Sequence, residues 1–132
     1  MHVKKLLILL VWSAGIIFPM AWLGTQNQAF GAWFNAFFQP AWMHVLMHSL
    51  LYAVLACITA WILLNPGKSL PLAAILGICL AVALIQEGFQ AVTTDPFSPA
   101  GIGYDLVVDA CGASVGLLAF TAVRLARINR KG

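Results

Sequence analysis

Four stretches of this chain, about 6–23, 41–64, 71–92 and 104–125, are apolar over roughly the length a helix needs to cross a bilayer, about 20 residues. That feature constrains everything else. Backbone groups in hydrocarbon have no water to bond to, and a helix pairs them within its own segment. With 62% hydrophobic and 8% charged residues, the chain falls far short of the roughly one-quarter charged residues of a soluble domain. The expectation is an all-α fold: a four-transmembrane-helix bundle, one domain over residues 1–132.

Taken in order, Met1-His-Val-Lys-Lys5 is a basic head on the first apolar run. Ala29-Phe-Gly31 resembles a leader cleavage site, but the apolar core exceeds the usual leader length, so a retained first helix is expected. Residues 28–39 carry Phe30, Trp33, Phe34, Phe37 and Phe38 on one helical stripe, with Asn35 and Gln39 off it. This predicts a short amphipathic helix lying in the interface, too short to span. A hydrophobic lid over a site is the functional alternative. Asn65-Pro-Gly-Lys-Ser69 ends the second span, Pro71 opens the third, and residues 93–103 read as an ordered loop.

The basic residues are Lys4, Lys5, Lys68, Arg124, Arg127, Arg130 and Lys131. With four spans and a cytoplasmic N-terminus, all of them fall on the cytoplasmic side, so both termini are placed there. The pI near 9.0 then reflects topology and contact with anionic lipid rather than nucleic-acid binding. The expected location is a multi-pass position in a cell membrane, the bacterial inner membrane. Cys57, Cys79 and Cys111 stand singly in apolar runs and read as small buried hydrophobes.

On that topology the remaining polar groups converge. His44 and His48 begin span two, Gln86, Glu87 and Gln90 end span three, and Asp105 and Asp109 begin span four. At a rise of about 1.5 Å per residue, His48, Glu87 and Asp109 all lie roughly 8–10 Å below the outer boundary. Intramembrane carboxylates are costly and mark functional sites by default. Asp105 and His44 sit near enough to the boundary to be hydrated, and Asp95 suits a turn or a cap. Glu87 and Asp109 need protonation, hydrogen bonds from His48 or Gln90, or a cation. Asp105, Asp109, Gly112 and Gly116 share one face of the last span, which points the Gly112-x-x-x-Gly116 step toward helix packing inside the bundle.

His48-Ser-Leu-Leu-Tyr52, Glu87-Gly-Phe-Gln90 and Asp105-Leu-Val-Val-Asp109-Ala-Cys-Gly112-Ala-Ser-Val-Gly116 together resemble the motifs of the VanZ-like family of small integral membrane proteins. The resemblance covers about residues 42–118. The chain departs from the pattern at His44-Val45, where the family commonly has Asp-Lys, and at Asp109, where it prefers Asn. Loop 93–103 lacks the family's Arg. The site is therefore more acidic than the pattern it resembles. The family is named for a protein linked to low-level resistance to teicoplanin, a lipid-tailed glycopeptide, so the resemblance implies a role at the outer face in the cell envelope.

Four function classes follow. A pocket formed by His44, His48, Tyr52, Gln86, Glu87, Gln90, Asp105 and Asp109 would bind a lipid-linked or amphiphilic envelope molecule, or a partner's helix. An intramembrane enzyme on a lipid-type substrate would use His48, Glu87, Asp105 and Asp109 in catalysis. A divalent metal held by His44, His48, Glu87 and Asp109 would supply positive charge, and histidines at i, i+4 suit such an ion. A proton or cation relay stops halfway, because toward the cytoplasm the spans carry only Ser, Thr and Cys. An accessory role in a membrane complex is the structural alternative.

Overall fold

In a computed structural model, residues 2–18, 20–38, 40–64, 71–93 and 98–130 are described. They form six helices: α1 (His2–Ile17), α2 (Met20–Gln26), α3 (Gln28–Phe38), α4 (Ala41–Leu63), α5 (Leu72–Thr93) and α6 (Pro99–Asn129). The expected turn at Asn65–Ser69 and the loop residue Asp95 lie outside the described residues.

Two expected boundaries are corrected. The first apolar run is two helices, because the chain carries Pro19 between α1 and α2. Proline has no N–H to donate and disfavours helical backbone in the residue before it. The 16 residues of α1 make a rod of about 24 Å, shorter than the ~30 Å hydrocarbon core. The other correction concerns the loop expected over 93–103: α6 already begins at Pro99. Ser98 caps it by accepting a hydrogen bond from the Gly101 amide at 3.2 Å, and Pro99 occupies a first-turn position that needs no donor. The helix continues to Asn129, taking in most of the basic tail.

Helices α4, α5 and α6 are each long and apolar enough to cross a membrane. Unlike a soluble bundle they are apolar outside as well as inside, where Leu55, Ala56, Ile75 and Leu117 are buried. Leu72, Leu76, Leu80 and Leu84 recur every four residues on the exposed face of α5, while Gln86 and Glu87 are buried. His48, Thr59 and Asp109 are likewise inside, and Leu46, Leu50, Val107, Val115 and Leu118 outside. An apolar exterior, with the few polar groups turned inward, is stable where the surroundings are hydrocarbon. The chain is a helical, multi-pass membrane protein.

Helices α4 and α6 run parallel and make the closest contact in the molecule. A Cβ at Gly112 would meet the backbone of Ser49, and one at Gly116 the backbone of Ala53. Only glycine lets the two backbones approach that far. Helix α5 runs back beside the pair, packing on both, and α1 lies antiparallel along α4. Trp12 Nε1 donates to the Leu51 carbonyl at 3.2 Å, and Lys5 Nζ sits 4.4 Å from the Trp61 ring centre. These directions give the bundle two unlike ends. Lys4, Lys5, Arg124, Arg127 and Arg130 lie at one, and Glu87, Asp105 and Asp109 with His44 and His48 at the other.

Helix α3 has the length and phase read from the sequence. The Asn27 side chain accepts from the Phe30 amide at 3.1 Å and starts it. Its stripe is a run of ring contacts: Phe30 against Trp33 and Phe34, Trp33 against Phe37, and Phe34 against Phe38. Gly31 packs on Gly24 and so folds α2 back on α3.

Candidate functional site

The site is built on α4, whose polar residues His44, His48 and Tyr52 follow one another at four-residue steps and therefore line one face. Asp105 and Asp109 have the same step on α6. Because the two helices are parallel and locked by Gly112 and Gly116, their polar residues meet as rungs. His44 Nε2 is 3.0 Å from Asp105 Oδ1, and one turn deeper His48 Nδ1 is 2.9 Å from Asp109 Oδ1. In each rung a ring nitrogen and a carboxylate oxygen share one proton, held by one or the other according to the tautomer. The His44 and His48 rings stand 4.4 Å apart, centre to centre. The third rung reaches α5, where the Tyr52 hydroxyl donates to Gln86 Oε1 at 2.9 Å.

The rungs differ in exposure. His44 and Asp105 are half-buried, whereas His48 is 7% and Asp109 1% exposed. His44 and Asp105 hold each other instead of standing separately in water, which adds a contact to the sequence reading. Glu87 enters from α5 beside the second rung and is 3% exposed. Single ligand atoms of His48, Glu87 and Asp109 lie within 4.8 Å of one another, as do those of His44, His48 and Asp105. A divalent cation can be held by either group. Among the described residues, Glu87 Oε1 and Asp109 Oδ2 are buried without a hydrogen-bond partner. Gln90 was expected as a donor to these acids. It is half-buried and makes no side-chain hydrogen bond to a described residue, and Gln86 takes the tyrosine instead.

Next to the second rung a cleft of about 180 Å³ runs between α5 and α6. Leu76, Cys79, Leu80 and Leu106 form its walls, with Asp109 and Tyr52 at its inner side. Leu76 and Leu80 are exposed, so the cleft opens sideways, toward the surface that faces lipid. Sequence reasoning placed Asp109 and Tyr52 but missed these walls. Apolar residues give no individual signal within an apolar helix.

Compared with protein-family models, with curated proteins and with solved structures, the chain matches none.

Proposed function

We propose that the protein binds an amphiphilic, lipid-like envelope molecule, with an apolar chain in the α5–α6 cleft and a polar head against the His48–Asp109 rung. The single observation that carries this reading is the cleft itself, whose apolar walls end at a buried carboxylate. Its 180 Å³ is below the ~300 Å³ floor of drug-sized pockets, a dimension that suits one alkyl chain rather than a ring system. The acidic end selects a head that donates hydrogen bonds or carries positive charge, since the basic side chains of the described residues lie at the opposite end of the bundle.

The clustering of basic residues at one end supports an orientation with that end in the cytoplasm, and α1 with α2 completing a fourth crossing. The site then faces outward, and α3 lies in the outer interface beside it. An outward-facing amphiphile site agrees with the resemblance to VanZ-like proteins and with a role in resistance to lipid-tailed glycopeptides.

Two experiments test this. Thermal melting of the purified protein across a panel of envelope lipids and lipid-tailed glycopeptides should show one class raising Tm. The rise should vanish in Ala110→Phe, which fills the cleft from α6. A Tm unmoved by every member of the panel removes the reading. For orientation, a single cysteine at Ser98 should label from outside intact cells and one at Arg130 only after permeabilisation. The reverse pattern inverts the topology.

A further inference from the structure

Glu87 and Asp109 pose a problem that the amphiphile reading leaves open. Each has a buried carboxylate oxygen with no partner among the described residues, at 3% and 1% exposure. An unpaired ion out of water is strongly unfavourable, and a packed bundle does not leave two such groups side by side without compensation. A cation is the compensation that the donor set fits. His48 contributes an imidazole nitrogen, Glu87 and Asp109 one carboxylate oxygen each, and these atoms already lie within 4.8 Å of one another. Ligands that share a small divalent ion at about 2.0–2.2 Å stand about 3–3.5 Å apart; His48 Nδ1 and Asp109 Oδ1 are at 2.9 Å, and the ion would take the place of the proton between them, which is released to water.

We infer that His48, Glu87 and Asp109 form a binding site for one divalent first-row transition metal ion at the inner side of the cleft. One nitrogen and two carboxylate oxygens form a borderline-to-hard set, suited to Mn²⁺, Fe²⁺ or Zn²⁺. The site takes one residue from each of the three long helices, so the ion ties α5 to the α4–α6 pair. Three protein ligands leave coordination positions open, and one of the three, Asp109, also lines the cleft. In the alternative group, His44, His48 and Asp105, His44 and Asp105 are half-buried, and among the described residues Asp105 has no buried oxygen left without a partner. The inference stands without the amphiphile reading, because the ion satisfies the carboxylates whether or not the cleft is filled.

The test uses the full chain in detergent, stripped with chelator and titrated with Mn²⁺ or Zn²⁺ alone, with no lipid ligand added. One ion per chain is expected by elemental analysis. Glu87→Gln and Asp109→Asn, which preserve shape, should each weaken binding at least tenfold, and Asp105→Asn should not. Pulsed electron paramagnetic resonance of bound Mn²⁺ on the wild type should show nitrogen coupling from one imidazole, a readout independent of whether any variant folds. Wild-type binding no tighter than that of Glu87→Gln overturns the site and leaves a proton shared between the carboxyls as the compensation. Coupling from two imidazoles overturns it in favour of the His44–His48–Asp105 group. A spectrum of free aqueous Mn²⁺ overturns it outright.

Discussion

Replacing Gly112 by alanine should open the α4–α6 seam and with it the deepest part of the site. A Cβ at Gly112 would stand 2.6 Å from the Ser49 Cα and 2.8 Å from its carbonyl carbon, where ordinary contact begins at 3.4 Å. The obstacle is backbone, which no rotamer change can move aside, so the helices themselves must separate by about 0.8 Å. The His48–Asp109 rung lies on the same face less than one turn away. If it follows, its separation grows from 2.9 Å to about 3.7 Å, beyond hydrogen-bond range. Overpacking of this kind costs about 1–3 kcal/mol, and a hydrogen bond to a charged group contributes about 1.5–3 kcal/mol. Together these give a destabilisation of about 2.5–6 kcal/mol. Gly116→Ala meets the Ala53 backbone in the same way and belongs at the lower end, because it is farther from the rung. Gly77→Ala is the control: a Cβ there meets nothing within 4 Å, and helix propensity alone makes it stabilising by about 0.5–1 kcal/mol. Unfolding free energies from denaturant titration in mixed micelles would measure all three. Equal stabilities for Gly112→Ala and Gly77→Ala would refute the packing argument.

Other substitutions probe separate parts of the molecule. Tyr52→Phe removes the donor to Gln86 Oε1 and leaves a buried amide oxygen unpaired, a loss of about 1–3 kcal/mol in the same titration. Ser98→Ala removes the cap that accepts from the Gly101 amide; it should cost about 1 kcal/mol and speed amide hydrogen exchange in the first turn of α6 while leaving the α4–α6 seam protected. Trp33 is exposed on the α3 stripe. If α3 lies in the interface, a variant with Trp33 as sole tryptophan should be quenched more by lipids brominated near the headgroup than by lipids brominated at the chain ends, and the opposite order would place α3 elsewhere.

Much of the molecule is legible in the amino-acid sequence, because helical phase is a local property. The apolar runs specify membrane helices, the aromatic spacing specifies α3, and the four-residue steps put His44 with His48 and Asp105 with Asp109 on single faces. Where local reading fails, one local signal outweighs another. Pro19 sits inside the first run and divides it, and Ser98-Pro99 is a helix start lying within what reads as a loop.

What the amino-acid sequence determined by itself, then, is which residues share a face of one helix. Which faces meet, and at what offset, was decided by tertiary packing. Gly112 and Gly116 seat α6 on the backbone of Ser49 and Ala53. That long-range contact sets the 61-residue separation at which both histidines meet both aspartates. The same packing turns Gln86 rather than Gln90 toward Tyr52 and leaves Glu87 and Asp109 each with an oxygen unpaired among the described residues. The physical reason is that helix periodicity repeats within one segment, whereas axial offset and rotation between segments depend on how closely two backbones can approach.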